Sequence, residues 1–382
     1  MKKRVYACFA ALAAVIVGAS GCSAVGYTVY RPTFAFSDDI LFSARMLGGR
    51  VDYAYERMCE IISDVDGAVS LTRADSDLSR LNAAAAGERV EVSEYAYELF
   101  CLSRDYYELT DGAFNCAASP LCELWHTDAA SLAEMERKAD GERVYGSLPT
   151  AEEVASTLAY CNPESVAAEE ADGKRYLTKS DARTALDFGG IAKGYAIDKC
   201  VEVLDEYGVS SALLDIAGNL YAYGDYALNT DGLWNIGITA PRPRVAPTRG
   251  LLCALSLSGG ESAVTSGDYM RYYVCESGDA PVYVTHITGR DGVPIGVVAD
   301  GEGWKNGEEF VVSATVLGES SAMCDALSTA VCVLGYEDGA ALLQKVGYKG
   351  LIFTEKRYTI IGNVPLYKPD EYDGHKAYEY EP

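Results

Sequence analysis

The segment Leu186-Asp187-Phe188-Gly189-Gly190-Ile191-Ala192-Lys193-Gly194-Tyr195 sets two glycines at the mouth of an expected helix over 193–207, with a lysine close inside it. Unblocked backbone N–H groups, the positive end of a helix dipole and an ammonium group converge in such an arrangement, which suits an anion. Glycine allows the main chain to approach a ligand closely. Taken locally, the same residues also fit a plain glycine turn between a strand and a helix, with the lysine solvated. Two lookalikes fail. Gly189 to Gly194 has the glycine spacing of a P-loop but is followed by Tyr195, and Asp187-Phe188-Gly189 lacks the other protein-kinase motifs.

Asp325 and Thr329 lie four apart in Cys324-Asp325-Ala326-Leu327-Ser328-Thr329-Ala330, on an expected helix that runs to Leu334 before Gly335. They share one helix face. A carboxylate and a hydroxyl are hard oxygen donors, and an incomplete oxygen set that leaves room for water and phosphate suits Mg²⁺ better than zinc. The plainer alternative is an acid near the positive end of a helix and a threonine bonded back to its own backbone. His286 follows the strand-like run Pro281 to Thr285 and precedes the turn Gly289-Arg290-Asp291-Gly292. It is placed as a general base or as a structural hydrogen-bonding residue. Ser266-Gly267-Asp268-Tyr269, with Arg271 behind it, reads most simply as a tight hairpin turn.

The elements that must hold these residues alternate without a regular βαβ rhythm. Thr150 and Glu153 form a capping box opening a helix through about Tyr160. Ala196, Cys200, Val203, Leu204 and Tyr207 recur at helical spacing and stop at Gly208. Ala212 to Ile216 read as a buried strand, and further strands are expected at 251–257, 269–275, 281–287, 310–317, 350–354 and 358–361. The balance gives an α+β class of mostly antiparallel sheets with packed helices.

Lys2, Lys3 and Arg4, the apolar run Val5 to Val17 and then Ala19-Ser20-Gly21-Cys22 read as a lipoprotein signal peptide over 1–21. Cys22 is the expected lipidation site, followed by a tether over 22–33; an ordinary secretory signal is the other reading. The chemistry then lies outside the cytoplasm, on a lipid-anchored body. A formal net charge of -24, three units more negative once the leader's basic residues are gone, argues against nucleic acid or anionic headgroups as partners. Of the 12 cysteines, none forms a C-x-x-C pair, so neither a zinc site nor a disulfide pairing is specified. The 3 histidines leave few candidates for a histidine mechanism, and His375 belongs to a charged, tyrosine-rich tail (367–382) that is expected to be disordered.

Read in order, D-F-G-G-I-A-K-G-Y-A-I-D, A-V-T-S-G-D-Y-M-R-Y, H-I-x-G and D-A-L-S-T-A resemble the FAD:protein FMN transferases, the ApbE-like flavin transferases. The resemblance extends upstream to Asp75-Ser76-Asp77-Leu78-Ser79-Arg80-Leu81-Asn82 and to Thr110-Asp111-Gly112-Ala113-Phe114-Asn115. Several ordered motifs at family-like separations are specific where each alone is weak. The resemblance implies one ApbE-like, T-fold-like catalytic body over 34–366. It implies FAD as substrate, contacted by Asp187 and by Lys193 near the diphosphate, and Mg²⁺ held by the Gly190 carbonyl, Asp325 and Thr329. Ala113, Phe114, Asn115 and the backbone around Ile287 would line the flavin nucleotide site. His286 would take the proton from a threonine or serine hydroxyl of an exported or membrane redox protein, which receives FMN while AMP leaves. FAD hydrolysis to FMN and AMP, or flavin binding without catalysis, are the alternatives.

Overall fold

The computed structural model describes residues 26–367 apart from 36–39, 139–141, 240, 242–250, 270, 277–279, 302 and 355–356. The leader, Cys22 and the tail from Lys368 onward lie outside the described residues. The body is built on an eight-stranded sheet whose strands follow one another in chain order: Thr28–Ala35, Ile40–Leu47, Ser211–Ile216, Asn219–Tyr223, Glu261–Gly267, Val311–Gly318, Lys349–Thr354 and Tyr358–Ile361. Every neighbouring pair in it is antiparallel. The functional segments sit on excursions between these strands. Helices Val51–Val69 and Ala192–Glu206 fall between the second and third strands, and helix Ser321–Val346 falls between the sixth and seventh.

Side-chain alternation gives the sheet two covered faces. Ala212, Leu214 and Ile216 enter the large core under the helices, whereas Leu213 points into a second core beneath the sheet of Trp234–Thr239, Leu251–Leu257 and Leu366–Tyr367. A third apolar cluster, around Trp125, Tyr273 and Val284, packs short helices against the sheet that contains Tyr272–Cys275 and Val282–Thr285. The fold class is therefore α+β with mostly antiparallel sheets, the parallel contact between Tyr272–Cys275 and Arg143–Tyr145 being an exception.

Two domain boundaries differ from the sequence reading. The expected tether is strand from Thr28 onward, paired with Ile40–Leu47, and Tyr30 within it stacks on Tyr55 with ring centroids 4.1 Å apart. Tyr367 belongs to the body, paired with Ala254, and not to the tail. The helix through Asp325 stops at Gly335 as the sequence reading expects: Gly335 leaves helical geometry with φ 82 and ψ -173, a conformation glycine adopts without steric cost, and a second helical stretch continues beyond it to Val346. This helix has the length and hydropathy of a membrane span, yet half of its apolar stretch is buried inside the body, as a core helix requires.

Helices Ala192–Glu206 and Ser321–Val346 meet at Gly194. A Cβ added there would lie 2.3 Å from the Ser321 carbonyl oxygen and 2.8 Å from Ala322 Cα, so only a residue without a side chain allows this approach. Gly194→Ala is expected to destabilise the protein by about 2 kcal/mol or more, since backbone atoms must move apart. Urea unfolding of the parent and the variant measures the difference.

Candidate active site

Each of the two helices caps the other. Helix Ala192–Glu206 has no side-chain cap of its own at Ile191, and the Gly194 N–H in its first turn donates instead to Asp325 Oδ2 at 3.0 Å. In return Asp198, two turns into this helix's sequence, accepts from the Ser321 N–H at 2.7 Å and the Ala322 N–H at 3.0 Å, and from Ser320 Oγ at 2.9 Å. The first-turn N–H groups of a helix lack partners inside it, and a carboxylate both satisfies them and complements the dipole. Burial, reinforced by the nearby Asp325, pushes the Asp198 carboxyl above its ordinary range, a cost that these three donors offset.

This crossing gathers the residues singled out from sequence. Lys193 Nζ stands 3.4 Å from each Asp325 carboxylate oxygen and donates to the Gly189 carbonyl at 3.2 Å. Asp325 is 2% exposed, so its charge is held among these donors and screened little by water. An atom at the Cβ position of Gly190 would lie 3.7 Å from Thr329 Oγ1 and 3.2 Å from the Phe114 ring, which places Gly190, Thr329 and Phe114 side by side. Asp187 Oδ1 accepts from the Gly189 N–H at 2.7 Å and shapes the glycine turn.

The donors available to a cation here are oxygens: the Asp325 carboxylate, the Thr329 hydroxyl and the neighbouring main chain at Gly190. Among the described residues no three His, Cys, Asp or Glu side chains gather into a metal cluster, so a cation here would take its remaining ligands from a bound molecule or water. That set fits Mg²⁺. The ammonium of Lys193 beside Asp325 already shows that the carboxylate faces a position suited to positive charge.

The turn is held from behind by residues remote in sequence. Asn82 pairs with the Leu186 backbone in both directions, accepting from its N–H at 2.8 Å and donating to its carbonyl at 2.9 Å. Lys179, 1% exposed, donates to the carbonyls of Asn82, Ala182 and Thr184 at 2.6, 2.9 and 3.0 Å. Three donors on one atom require the ammonium form. Sequence reading quoted Asn82 in a motif without a role and passed over Lys179 and Asp198. Nothing local marks a lysine whose partners are all main-chain carbonyls. Asp198 did stand at the end of the D-F-G-G-I-A-K-G-Y-A-I-D motif, two helix turns from the glycines.

His286 closes another side. Its backbone N–H and its Nδ1 both reach the Arg271 carbonyl, at 3.2 and 3.1 Å. A carbonyl only accepts, so Nδ1 carries the proton and Nε2 presents a lone pair. Burial first, then the positive charges of Arg271 and Lys193, pull the imidazole pKa down to about 3, and the ring is neutral near pH 7. The following loop is tightly closed: Gly289 N–H donates to Val293 O at 2.7 Å, Thr288 bridges Pro294, and Trp125 Nε1 donates to Gly292 O at 2.9 Å. Ile287 is buried in the main core, its N–H donated to Thr285 Oγ1 and its carbonyl accepting from Ile295.

Ala113 and Phe114 are likewise buried, and Thr110 Oγ1 accepts from the Phe114 N–H at 3.0 Å. Asn115 ties its loop down, donating to the Cys161 carbonyl at 2.9 Å and accepting from the Ala117 N–H at 2.8 Å. It also lines a pocket of about 310 Å³ with Tyr107, Asp111, Asn162, Thr288 and Arg290. Arg290 donates to Asp111 Oδ2 at 2.9 Å across this pocket and joins the loop after His286 to the Thr110–Asn115 loop.

The antiparallel body and its paired helix starts define a flavin-transferase fold. Over 87% of this chain and 92% of the other, it superposes on the Pseudomonas stutzeri flavinyl transferase ApbE in its apo form, with a TM-score of 0.66 and 27% identity. It superposes equally on the ApbE protein of Thermotoga maritima, with a TM-score of 0.66 and 25% identity over 86% of this chain and 95% of that one. The chain belongs to the ApbE family, whose sequence profile matches residues 39–352. The FAD:protein FMN transferase of Treponema pallidum is 30% identical over 80% of this chain and 79% of its own length. That of Klebsiella pneumoniae strain 342 is 28% identical over 81% and 84%.

The His286 environment makes a direct prediction. In the ligand-free protein its imidazole should show no titration between about pH 5 and 8 by NMR, unlike a solvated histidine. An unfolded ring takes its proton near 6.5 and the folded one only near 3, so His286 withdraws stability as pH falls through that interval and costs nothing above it.

Proposed function

We propose that this chain is an FAD:protein FMN transferase acting outside the cytoplasm, anchored through lipid on Cys22, and that its acceptor is a threonine or serine of an exported or membrane redox protein. The observation that carries the proposal is the convergence of Lys193, Asp325, Thr329 and Gly190 at the crossing of two helix starts. Family membership supports the flavin chemistry. Asp325, Thr329 and the Gly190 carbonyl would hold Mg²⁺, which when bound neutralises diphosphate charge. Lys193 turns its ammonium to the same diphosphate, and Asp187 orders the glycine turn that faces it.

A chain of strongly negative net charge repels a dianionic ligand at long range, so this local positive charge must draw the diphosphate in. Neutral His286, with Nε2 unprotonated, accepts the proton of the acceptor hydroxyl. That oxygen forms a bond to the phosphorus on the riboflavin side, the bridging P–O bond breaks, and AMP departs with the electron pair. Asn115 and Arg290 line a pocket together with Thr288, two residues beyond His286, and would help to seat the nucleotide.

The test incubates the soluble body with FAD, Mg²⁺ and candidate acceptor domains while following acceptor mass and AMP. An acceptor heavier by FMN, with AMP released, supports transfer. AMP without a heavier acceptor means hydrolysis, and bound FAD with neither product means a flavin carrier. Asp325→Asn keeps an acceptor for the Gly194 N–H and should lower Mg²⁺-dependent transfer by about 100-fold or more. His286→Ala should lower transfer by about 100-fold or more while FAD binding persists. Full transfer by His286→Ala would exclude its role as base.

A further inference from the structure

Ser266 lies in the sheet strand Glu261–Gly267, and the hairpin turn expected at this position is not what its side chain serves. Its hydroxyl sits 2.8 Å from Ser328 Oγ and 3.1 Å from Thr329 Oγ1. Ser328, fully buried, spends its one hydroxyl proton on the Asp325 carbonyl at 2.9 Å. It therefore only accepts from Ser266. Ser266 likewise has a single proton, which goes to Ser328, so its contact with Thr329 requires Thr329 as donor.

The chain of donors runs one way, from Thr329 to Ser266 to Ser328 to the Asp325 backbone. It ends on the residue whose carboxylate stands one helical turn from Thr329.

We infer that Ser266 is a positioning residue for the cation site: by taking the Thr329 proton it fixes the threonine hydroxyl with its lone pairs free for a metal. A hydroxyl in that state is a ligand; one that accepts a proton from Ser266 has lost part of its capacity. The inference rests on the proposed placement of Mg²⁺ at Asp325 and Thr329. Partners that orient a metal ligand typically change metal affinity by about 10- to 100-fold when removed.

The test follows flavin fluorescence to find the Mg²⁺ concentration that half-saturates FAD binding, alongside thermal melting of each variant. Ser266→Ala should raise that concentration by about 10-fold or more with a melting curve like the parent's. Ser266→Thr, which retains a hydroxyl, should stay close to the parent. Ser328→Ala frees the Ser266 proton to turn toward Thr329 and should also raise the Mg²⁺ requirement.

A folded Ser266→Ala with the parent's Mg²⁺ requirement overturns the inference. If that variant does not fold, an unchanged requirement in Ser328→Ala overturns it instead. Asp325→Asn separates this inference from the reading beneath it. A shift in Asp325→Asn without one in Ser266→Ala defeats only the role of Ser266, whereas no shift in either defeats the metal site itself.

Discussion

Two helices that each donate a carboxylate to the other's first turn fix everything else in this site. Asp325 answers the Gly194 N–H and Asp198 answers those of Ser321 and Ala322, across a contact close enough that Gly194 admits no side chain. Helix starts draw anions because their N–H groups have no partners within the helix. Here the protein satisfies part of that demand internally and brings Lys193, Asp325 and Thr329 to one place. The cost is two carboxylates in a poorly hydrated contact, and burial does raise the Asp198 pKa. Asp325 has Lys193 beside it, which balances its charge directly.

Electrostatics at this crossing also explain the state of His286. Burial disfavours a charged ring, Arg271 and Lys193 lie near enough to oppose its protonation further, and the Arg271 carbonyl fixes which nitrogen holds the proton. The same positive charge that would attract a diphosphate therefore adds to burial in keeping the imidazole free of its extra proton. The net charge of the protein is strongly negative, so binding of an anion here depends on individual cationic groups and N–H donors at the crossing and not on the charge of the whole chain.

Much of this was legible in the sequence because it depends on short-range spacing. Asp325 and Thr329 share a face by helical geometry alone, the glycine pair announces a helix mouth, and the strand at 251–257 has the predicted bounds. The capping box at Thr150 and Glu153 is present as read. What was not legible depends on partners far apart in the chain. The Asn82 to Leu186 pairing spans 104 positions, and Asp198 finds its donors more than 120 positions away. Ser266 was mistaken for part of a turn because small polar residues before an aromatic look alike in a hairpin and in a central strand. Only the neighbouring helix tells the two apart.

The most direct measurement is the anomalous scattering of Mn²⁺, substituted for Mg²⁺ in crystals grown with FAD. A peak is expected at coordination distance, about 2.0–2.3 Å, from an Asp325 carboxylate oxygen and from Thr329 Oγ1, with the diphosphate completing the shell between the two helix starts. A well-occupied peak bound elsewhere, with Asp325 still engaged only by Lys193 and Gly194, would contradict it.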